Sequence, residues 1–188
     1  MRLILASNSP RRKEILEKAG FSFNVVSSDY DEQLFSDNPY RTATTFALNK
    51  AKSVFNELDN KEENIVIGSD TVVYFNGKIL GKPKNEIDAI NMLKSLSNNK
   101  HTVITGFAII TENKTIIDFD ESEVYFSDLT DEQIKAYINS GLYKGKAGAY
   151  GIQDKDFNLV KEYKGSLTNI IGLPIEKVQE ALNQILSK

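Results

Sequence analysis

The amino-acid sequence predicts an α/β fold with a mixed central sheet. Short apolar segments of strand type alternate with amphipathic segments of helix type, which is typical of strands joined by helical crossovers. Two further features indicate hairpins: the Asn76-Gly77 turn signal, and two long strand segments separated only by residues 112–114. Because crossovers join parallel strands and hairpins join antiparallel ones, a sheet that contains both is mixed.

The individual elements follow from local patterns. Strands are predicted where apolar or alternating runs lie between turn signals, in this order: residues 3–6, 21–27, 65–68, a hairpin over 72–80, 102–111, 115–126 and 158–163. Helices are predicted where apolar residues recur at helical spacing behind a cap or a proline: 10–20 after Ser9, 40–58, one after Asn85, one from the Thr130 capping box to Gly141, and one from Pro174. Residues 29–38 are predicted to form an acidic loop.

Composition limits the classes of function. The 188 residues are enough for one domain with a buried core, and 40% hydrophobic with 26% charged residues is ordinary globular composition. The net charge of −3 argues against a nucleic-acid-binding protein. The first apolar run, residues 3–6, is too short for a signal peptide or a membrane span, so we expect a cytoplasmic protein that does not bind membranes.

The residue types also limit the chemistry. The chain has no cysteine and a single histidine, His101, which excludes disulfides, zinc knuckles and thiol nucleophiles. A metal ion would have to be held by oxygen ligands, and this favours Mg²⁺ or Mn²⁺.

The beginning of the first helix carries unusual charges. Arg11, Arg12 and Lys13 follow Ser9-Pro10, so three cations lie in a first turn that is already partly positive. Hydroxyls, free backbone N–H groups and guanidinium groups together predict a site for a polyanion such as a phosphate chain. The alternative is a solvated basic helix end.

Asp70 lies in Gly68-Ser69-Asp70-Thr71, which we expect at the end of a short apolar strand. A carboxylate there suits a general base or a Mg²⁺ ligand, and an Asp that caps a turn is an equal alternative. Glu32 in the acidic loop is either a second metal ligand or a solubilising charge. Lys50 is either a phosphate ligand or a solvated helix residue, and Lys82 in Gly81-Lys82-Pro83 is weak evidence by itself.

The glycine-rich residues 145–153 match neither the dinucleotide-binding spacing nor the P-loop spacing. We expect a tight loop whose backbone approaches a ligand. Tyr150 and Gln153 are candidates for stacking on a base and hydrogen bonding to it, and a Tyr150 packed in the core is the alternative.

Five blocks in this order resemble the Maf-like proteins, which are nucleoside triphosphate pyrophosphatases first named as septum-formation inhibitors. The blocks are Leu5-Ala6-Ser7-x-Ser9-Pro10-Arg11-Arg12, Gly68-Ser69-Asp70-Thr71, Gly81-Lys82-Pro83, Lys146-Ala147-Gly148-Ala149-Tyr150-Gly151-Ile152-Gln153 and Gly172-Leu173-Pro174. The resemblance covers residues 1–188 as a single Maf-like domain. It implies a twisted mixed sheet flanked by helices, in an elongated two-lobed domain with a deep cleft, similar to the inosine-triphosphate pyrophosphatase fold. It further implies a homodimer that cleaves a nucleoside triphosphate to monophosphate and pyrophosphate with Mg²⁺ or Mn²⁺.

The resemblance also implies roles for individual residues. Asp70 corresponds to the proton acceptor, and three residues correspond to positions that govern substrate choice: Arg11, Thr71 and Gln153. Substrate and phosphate contacts are implied for Ser7, Ser9, Arg12, Lys50 and Lys82, and a metal site for Glu32 with Asp70. The Asp-Thr pair and the Gly-Ile-Gln ending are those of the branch that prefers dTTP and UTP, with base-modified pyrimidine triphosphates as further substrates and a house-cleaning role linked to septum formation. Ser69 stands where alanine is common, and residues 140–145 and 164–169 also depart from the family pattern.

Two other functions remain open from the residues. A nucleotidyltransferase also begins with a strand, an arginine-bearing turn and a later metal-binding Asp, but its turn is normally glycine-rich. A non-catalytic nucleotide-binding regulator of division would not need Asp70 as a base.

Overall fold

The computed structural model describes residues 1–33 and 36–187, and there it forms one mixed sheet flanked by helices, which confirms the predicted fold class. The strands are β1 (Arg2–Leu5), β2 (Phe23–Val25), β3 (Asn64–Phe75), β4 (Lys78–Leu80), β5 (Lys100–Ile110), β6 (Thr115–Phe126) and β7 (Val160–Lys164). Their order is β2-β1-β3-β5-β6-β7, and β4 pairs with β3. The β1 strand runs parallel to β2 and β3, whereas all other pairs are antiparallel.

The helices are α1 (Pro10–Lys18), α2 (Pro39–Asn56), α3 (Glu86–Leu96), α4 (Asp131–Ser140), α5 (Leu167–Ile171) and α6 (Ile175–Leu186). The predicted caps are present: Asn85 Oδ1 accepts from Asp88 N at 2.9 Å, and Thr130 and Gln133 make both bonds of the capping box. The short helix α5 was not predicted. In the described part of the chain, no helix combines the length and the apolar character that crossing a bilayer requires. The predicted loop 29–38 includes Leu34 and Phe35, which lie outside the described residues.

The prediction for residues 65–80 was partly wrong. The strand does not end at Gly68, because β3 continues without a break to Phe75 and only then turns at Asn76-Gly77 into β4. Asp70 pairs with Gly106 in the middle of the β3–β5 ladder. Asp70 is therefore neither at a strand end nor capping a turn. The backbone ladder tolerates these polar residues because their side chains find polar partners.

One edge of β3 is open in its middle. The parallel strand β1 accompanies β3 only up to the Leu5–Ile67 pair, and β4 joins the same edge only from Val73. Residues 68–72 lie between these two partners and pair only with β5 on the opposite edge, so no strand of the described structure covers them on this edge. The chain leaves β1 at this point and turns into α1, so the polar segment 7–9 lies beside the open edge.

The sheet face that carries the odd-numbered residues of β3 and β5 has a polar middle. At one end, Ile65, Ile67, Phe107 and Ile109 form an apolar cluster with α1 and α6. At the other end, Val73 and Val103 belong to a second cluster with α3 and α4. Ser69, Thr71 and Thr105 lie between the two clusters. Two apolar cores on one continuous sheet produce the predicted two lobes.

Helix α2 packs very closely on the opposite sheet face. A Cβ atom on Gly68 would lie 2.2 Å from the carbonyl oxygen of Ala47, and one on Gly106 would lie 2.5 Å from that of Ala43. Only glycine permits this approach. The close packing brings Lys50 of α2 against Asp70.

Candidate active site

A cleft of about 540 Å³ lies at the open edge of β3. All ten residues to which the family resemblance gives a role line it. Lys13, the third cation predicted for the polyanion site, does not line it and pairs with Glu17 of the same helix. Ser7 and Ser9 come from the segment that joins β1 to α1, and Arg11 and Arg12 come from the first turn of α1. Asp70 and Thr71 come from β3 and Lys50 from α2. The remaining three lie in loops: Glu32, Lys82 and Gln153.

Arg12 is held in place by three other parts of the chain. Its Nε donates to the carbonyl oxygen of Gly172 at 2.8 Å, its Nη1 to Ser7 Oγ at 3.2 Å, and its Nη2 to Thr71 Oγ1 at 3.4 Å. Ser9 occupies the N-cap position as predicted, but its side chain makes no capping bond. Burial lowers the pKa of both Arg11 and Arg12 below the usual value. For Arg11 this effect is opposed mainly by the charge of Asp154.

Two lysines and two carboxylates form a chain of ion pairs on the α2 side of the cleft. Lys50 Nζ lies 2.5 Å from Asp70 Oδ1 and 2.6 Å from Glu32 Oε1. Lys82 Nζ lies 3.0 Å from both oxygens of Glu32. Lys50 and Asp70 are buried, whereas Lys82 is exposed. Lys50 is therefore not a solvated helix residue, and Glu32 is not merely a solubilising charge.

The two carboxylates have opposite pKa shifts. Burial raises the pKa of Asp70 above the usual value, and the attraction of Lys50 and Arg12 only partly offsets it. Burial also acts to raise the pKa of Glu32, but the charges and hydrogen bonds of Lys50 and Lys82 outweigh it and leave that pKa lowered. Asp70 is thus the better proton acceptor near neutral pH, and Glu32 is the more permanent negative charge.

Thr71 belongs to the other side of the sheet. Its Oγ1 lies 2.9 Å from Thr105 Oγ1 on β5 and receives the bond from Arg12. Thr105 in turn bonds to Asn169 of helix α5. Ser69 lies on the same face, and its Oγ is 3.0 Å from the carbonyl oxygens of both Gly172 and Gly106, which share its single hydroxyl hydrogen. The hydroxyl that replaces the family's common alanine therefore ties β3 to the Gly-Leu-Pro block.

The glycine-rich loop lies across the cleft from α1. Buried Lys146 forms an ion pair with Asp154, and Tyr137 of α4 donates to the same carboxylate oxygen at 2.7 Å. A Cβ on Gly151 would lie 2.8 Å from Lys146 Nζ, so this glycine lets the loop fold over the pair. Gln153 is exposed at the rim and makes no side-chain hydrogen bond to any described residue.

Tyr150 lines the cleft only with part of its ring, because the side chain is 6% exposed. Its hydroxyl lies 2.7 Å from His101 Nε2, and its ring contacts Phe126 edge-to-face. Of the two alternatives, the core side chain is correct. His101 is likewise a core residue, and burial lowers its pKa to about 4.

Sequence reasoning missed four residues that support the cleft: Thr105, Lys146, Asp154 and Asn169. Lys146 stands in a quoted block, and its lone charge among small residues was the available signal. Asn169 had no signal, because residues 164–169 showed no predicted element.

The sequence model of the family described as "Maf-like protein" matches residues 2–185. The chain belongs to the Maf-like family. Among its relatives, the "dTTP/UTP pyrophosphatase" of Clostridium botulinum strain Hall is 44% identical over 97% of this chain and 96% of that protein. The proteins with the same name from Alkaliphilus metalliredigens and Clostridium acetobutylicum are 45% identical, each over 97% of this chain and 95% and 96% of their own.

The Maf-like fold also resembles a solved structure described as the Staphylococcus aureus Ham1 protein. The TM-score is 0.57 at 13% identity, and the match covers 98% of this chain and 99% of that one. At this identity the likeness concerns the fold alone, and it confirms the predicted architecture.

Proposed function

We propose that this chain hydrolyses dTTP and UTP to the nucleoside monophosphate and pyrophosphate, the activity for which its relatives are named. The observation that carries the proposal is the position of Asp70. It lies on the open edge of β3, in a cleft that is lined both by cationic side chains and by apolar ones.

The cationic side chains of the cleft suit the triphosphate. Arg11, Arg12 and Lys82 supply positive charges there, and the first turn of α1 supplies free backbone N–H groups. Because Gly172 and Ser7 already hold Arg12, little side-chain entropy remains to be lost when phosphate binds. We propose that these groups stabilise the charge that develops on the departing pyrophosphate.

The cleft also suits the nucleoside. Its walls include Val73, Val103, Ile152 and Ile170, which offer apolar surface to a planar base. Gln153 at the rim has a free amide, which can accept from N3–H of uracil or thymine and donate to O4. The 5-methyl group that separates thymine from uracil is worth about 1–3 kcal/mol in an apolar pocket, so acceptance of both bases is expected. The same tolerance extends the proposal to base-modified pyrimidine triphosphates.

Asp70 is the proposed general base. Its raised pKa brings it nearer to neutral pH, where a carboxylate is most effective in taking a proton from water. Lys50 holds one carboxylate oxygen, Oδ1, and leaves Oδ2 without a bond to any described residue. We propose that Asp70 directs a water molecule at the α-phosphorus, because the base and the phosphate chain are fixed on either side of it.

The donor set fits a divalent cation that substrate helps to bind. Glu32 and Asp70 offer carboxylate oxygens on one wall, but no group of three or more metal-binding side chains occurs among residues 1–33 and 36–187. Mg²⁺ commonly binds through one or two carboxylates plus substrate phosphates, so two suffice. When bound, such an ion would neutralise phosphate charge and polarise the P–O bonds.

Assembly and cellular role are further parts of the proposal. The family resemblance implies a single Maf-like domain that acts as a homodimer and has a house-cleaning role linked to septum formation. Light scattering on the purified chain tests the dimer, since a mass near 21.1 kDa would identify a monomer and contradict it.

The decisive experiment measures products from a single nucleotide in ¹⁸O-labelled water. We expect pyrophosphate and a monophosphate that carries the label. Orthophosphate with a diphosphate product would contradict the bond assignment, and a requirement for a second substrate would indicate a nucleotidyltransferase. Tight nucleotide binding without turnover would indicate a regulator.

A further inference from the structure

The hydroxyl of Thr71 belongs to a hydrogen-bond chain with a defined direction. Thr105 Oγ1 donates to the carbonyl oxygen of Asn169 at 2.8 Å, because a carbonyl can only accept. Thr105 has one hydroxyl hydrogen, and this bond uses it. The 2.9 Å contact between Thr105 and Thr71 must then be donated by Thr71.

The Asn169 carbonyl has no competing donor among the described residues. It lies near the end of the short helix α5, where carbonyls lack a partner within the helix. The next available N–H groups, those of Gly172 and Leu173, both bond to Thr168 instead. A buried carbonyl without a donor costs free energy, so the Thr105 hydroxyl is committed to it.

Asn169 is itself held rigidly. Its Oδ1 accepts from Thr105 N at 3.1 Å, and its Nδ2 donates to the Val103 carbonyl and to Ser122 Oγ. Both Asn169 and Thr105 are fully buried. The donor-to-acceptor direction of this hydrogen-bond chain is therefore set by Thr105 and Asn169, which do not line the cleft.

We propose that Thr105 is a positioning residue that makes Thr71 an acceptor-only contact for substrate. Thr71 gives its hydrogen to Thr105 and accepts a long bond of 3.4 Å from Arg12, which leaves one lone pair toward the cleft. Phosphate oxygens are acceptors and do not match it. Thr71 therefore recognises an N–H or O–H donor of the nucleoside.

Two donors in dTTP and UTP have this chemistry. One is the 3′-hydroxyl of the sugar, and the other is N3–H of the base, in which case Thr71 replaces Gln153 as the acceptor of that hydrogen. Recognition of N3–H would also disfavour cytosine, whose N3 is an acceptor. The inference rests on the proposed function, so the wild-type protein is first assayed with dTTP and UTP. If the wild-type protein turns over neither dTTP nor UTP, the proposed function is contradicted, but the hydrogen-bond chain from Thr71 to Asn169 is not.

The test compares dTTP with an analogue that lacks the 3′-hydroxyl and one methylated at N3. The variants are Thr105→Val, Thr105→Ser and the control Thr102→Val, which lies on the same strand and makes no side-chain hydrogen bond to a described residue. We expect Thr105→Val to lower kcat/KM for dTTP roughly three- to tenfold, mainly through KM, since one hydrogen bond is lost. Serine should restore the wild-type value, and the control should match it.

The loss should vanish for whichever analogue lacks the donor that Thr71 recognises. An equal loss with all three substrates, or none with dTTP, would contradict the proposal. Should Thr105→Val fail to fold, Thr105→Ala takes its place. The wild-type protein gives an independent check: if it hydrolyses both analogues as well as dTTP, Thr71 has no donor partner and the inference is wrong.

Discussion

Asp70 and Thr71 are neighbours in β3, yet their side chains lie on opposite faces of the sheet. Asp70 contacts Lys50 of α2, whereas Thr71 contacts Thr105 and Arg12 on the other face. Both reach one cleft because the edge of β3 is open at this point. A ligand that lies across the edge can meet the proposed proton acceptor on one face and the proposed specificity contact on the other.

Replacing Asp70 by Asn should retain the fold and nucleotide binding but remove most activity. The side chains are nearly isosteric, and the amide oxygen can still accept from Lys50. Loss of a positioned base typically costs roughly 10²–10⁴ in rate. The control is Asp59→Asn, the same substitution at an exposed position, which should affect neither folding nor activity. Near-normal pyrophosphate release by the Asp70 variant at pH 7 would remove this residue from the proposed role.

The rate should depend on pH through the raised pKa of Asp70. The base acts only when deprotonated, so kcat/KM should fall as the pH drops through a value above the usual Asp range. Lys50 attracts the charged form, so Lys50→Met should move this limb to higher pH. A limb that stays in place would show that another group titrates. The same shift means that the native state holds a proton that the unfolded state releases, and the free energy of unfolding should fall as pH rises between the two pKa values.

Activity should require a divalent cation. EDTA should abolish turnover, and Mg²⁺ or Mn²⁺ should restore it, because the available ligands are carboxylate and phosphate oxygens. Glu32→Gln should raise the Mg²⁺ concentration needed for half-maximal rate, whereas Glu57→Gln on the exposed end of α2 should not. Full activity after exhaustive chelation would contradict the metal requirement.

Gln153→Ala should weaken kcat/KM for dTTP and UTP by about 1–3 kcal/mol, the cost of leaving polar base atoms unpaired. A purine triphosphate should be affected less. The comparison needs steady-state kinetics on both substrate classes with the same preparation. Equal losses for pyrimidines and purines would show that Gln153 does not read the base.

Gly106→Ala should destabilise the protein and disturb the Asp70–Lys50 pair together. The added Cβ would lie 2.5 Å from the backbone of Ala43, so α2 would have to move away from the sheet. Such overpacking typically costs about 1–3 kcal/mol. Gly81→Ala is the matched control, since its Cβ would meet nothing within 4 Å. Chemical denaturation measures both, and equal stability of the two variants would contradict the close-packing argument.

The sequence predicted much of the sheet because hairpin and capping signals are local. Asn85, Thr130 and the Asn76-Gly77 turn have the predicted local structure. The middle of β3 was misread because its polar residues resemble a loop, and only the pairing with β5 makes them a strand. The five-residue helix α5 was missed because it depends on Ser166 as a cap and on tertiary contacts of Asn169.

The sequence indicated the residues that line the candidate site more fully than the residues that hold them in place. All ten residues line one cleft, and eight of them stand in the five blocks, whereas Glu32 and Lys50 lie outside the blocks. The contacts behind them, such as Thr105 behind Thr71 and Asn169 behind Thr105, join distant parts of the chain. No local pattern records such pairs, so they could be found only in three dimensions.

The continuity of β3 and β5 has a mechanical consequence. Both strands run through the two apolar clusters, so in the described part of the chain continuous strands connect the lobes. Any narrowing of the cleft around a ligand must bend the sheet itself. The bend would cross the part of the sheet where residues have no side chain or a small one: Gly68, Ser69 and Gly106. Bending at these residues would change the distance between α2 and the sheet. Closure of the cleft around the nucleotide would therefore also move Lys50.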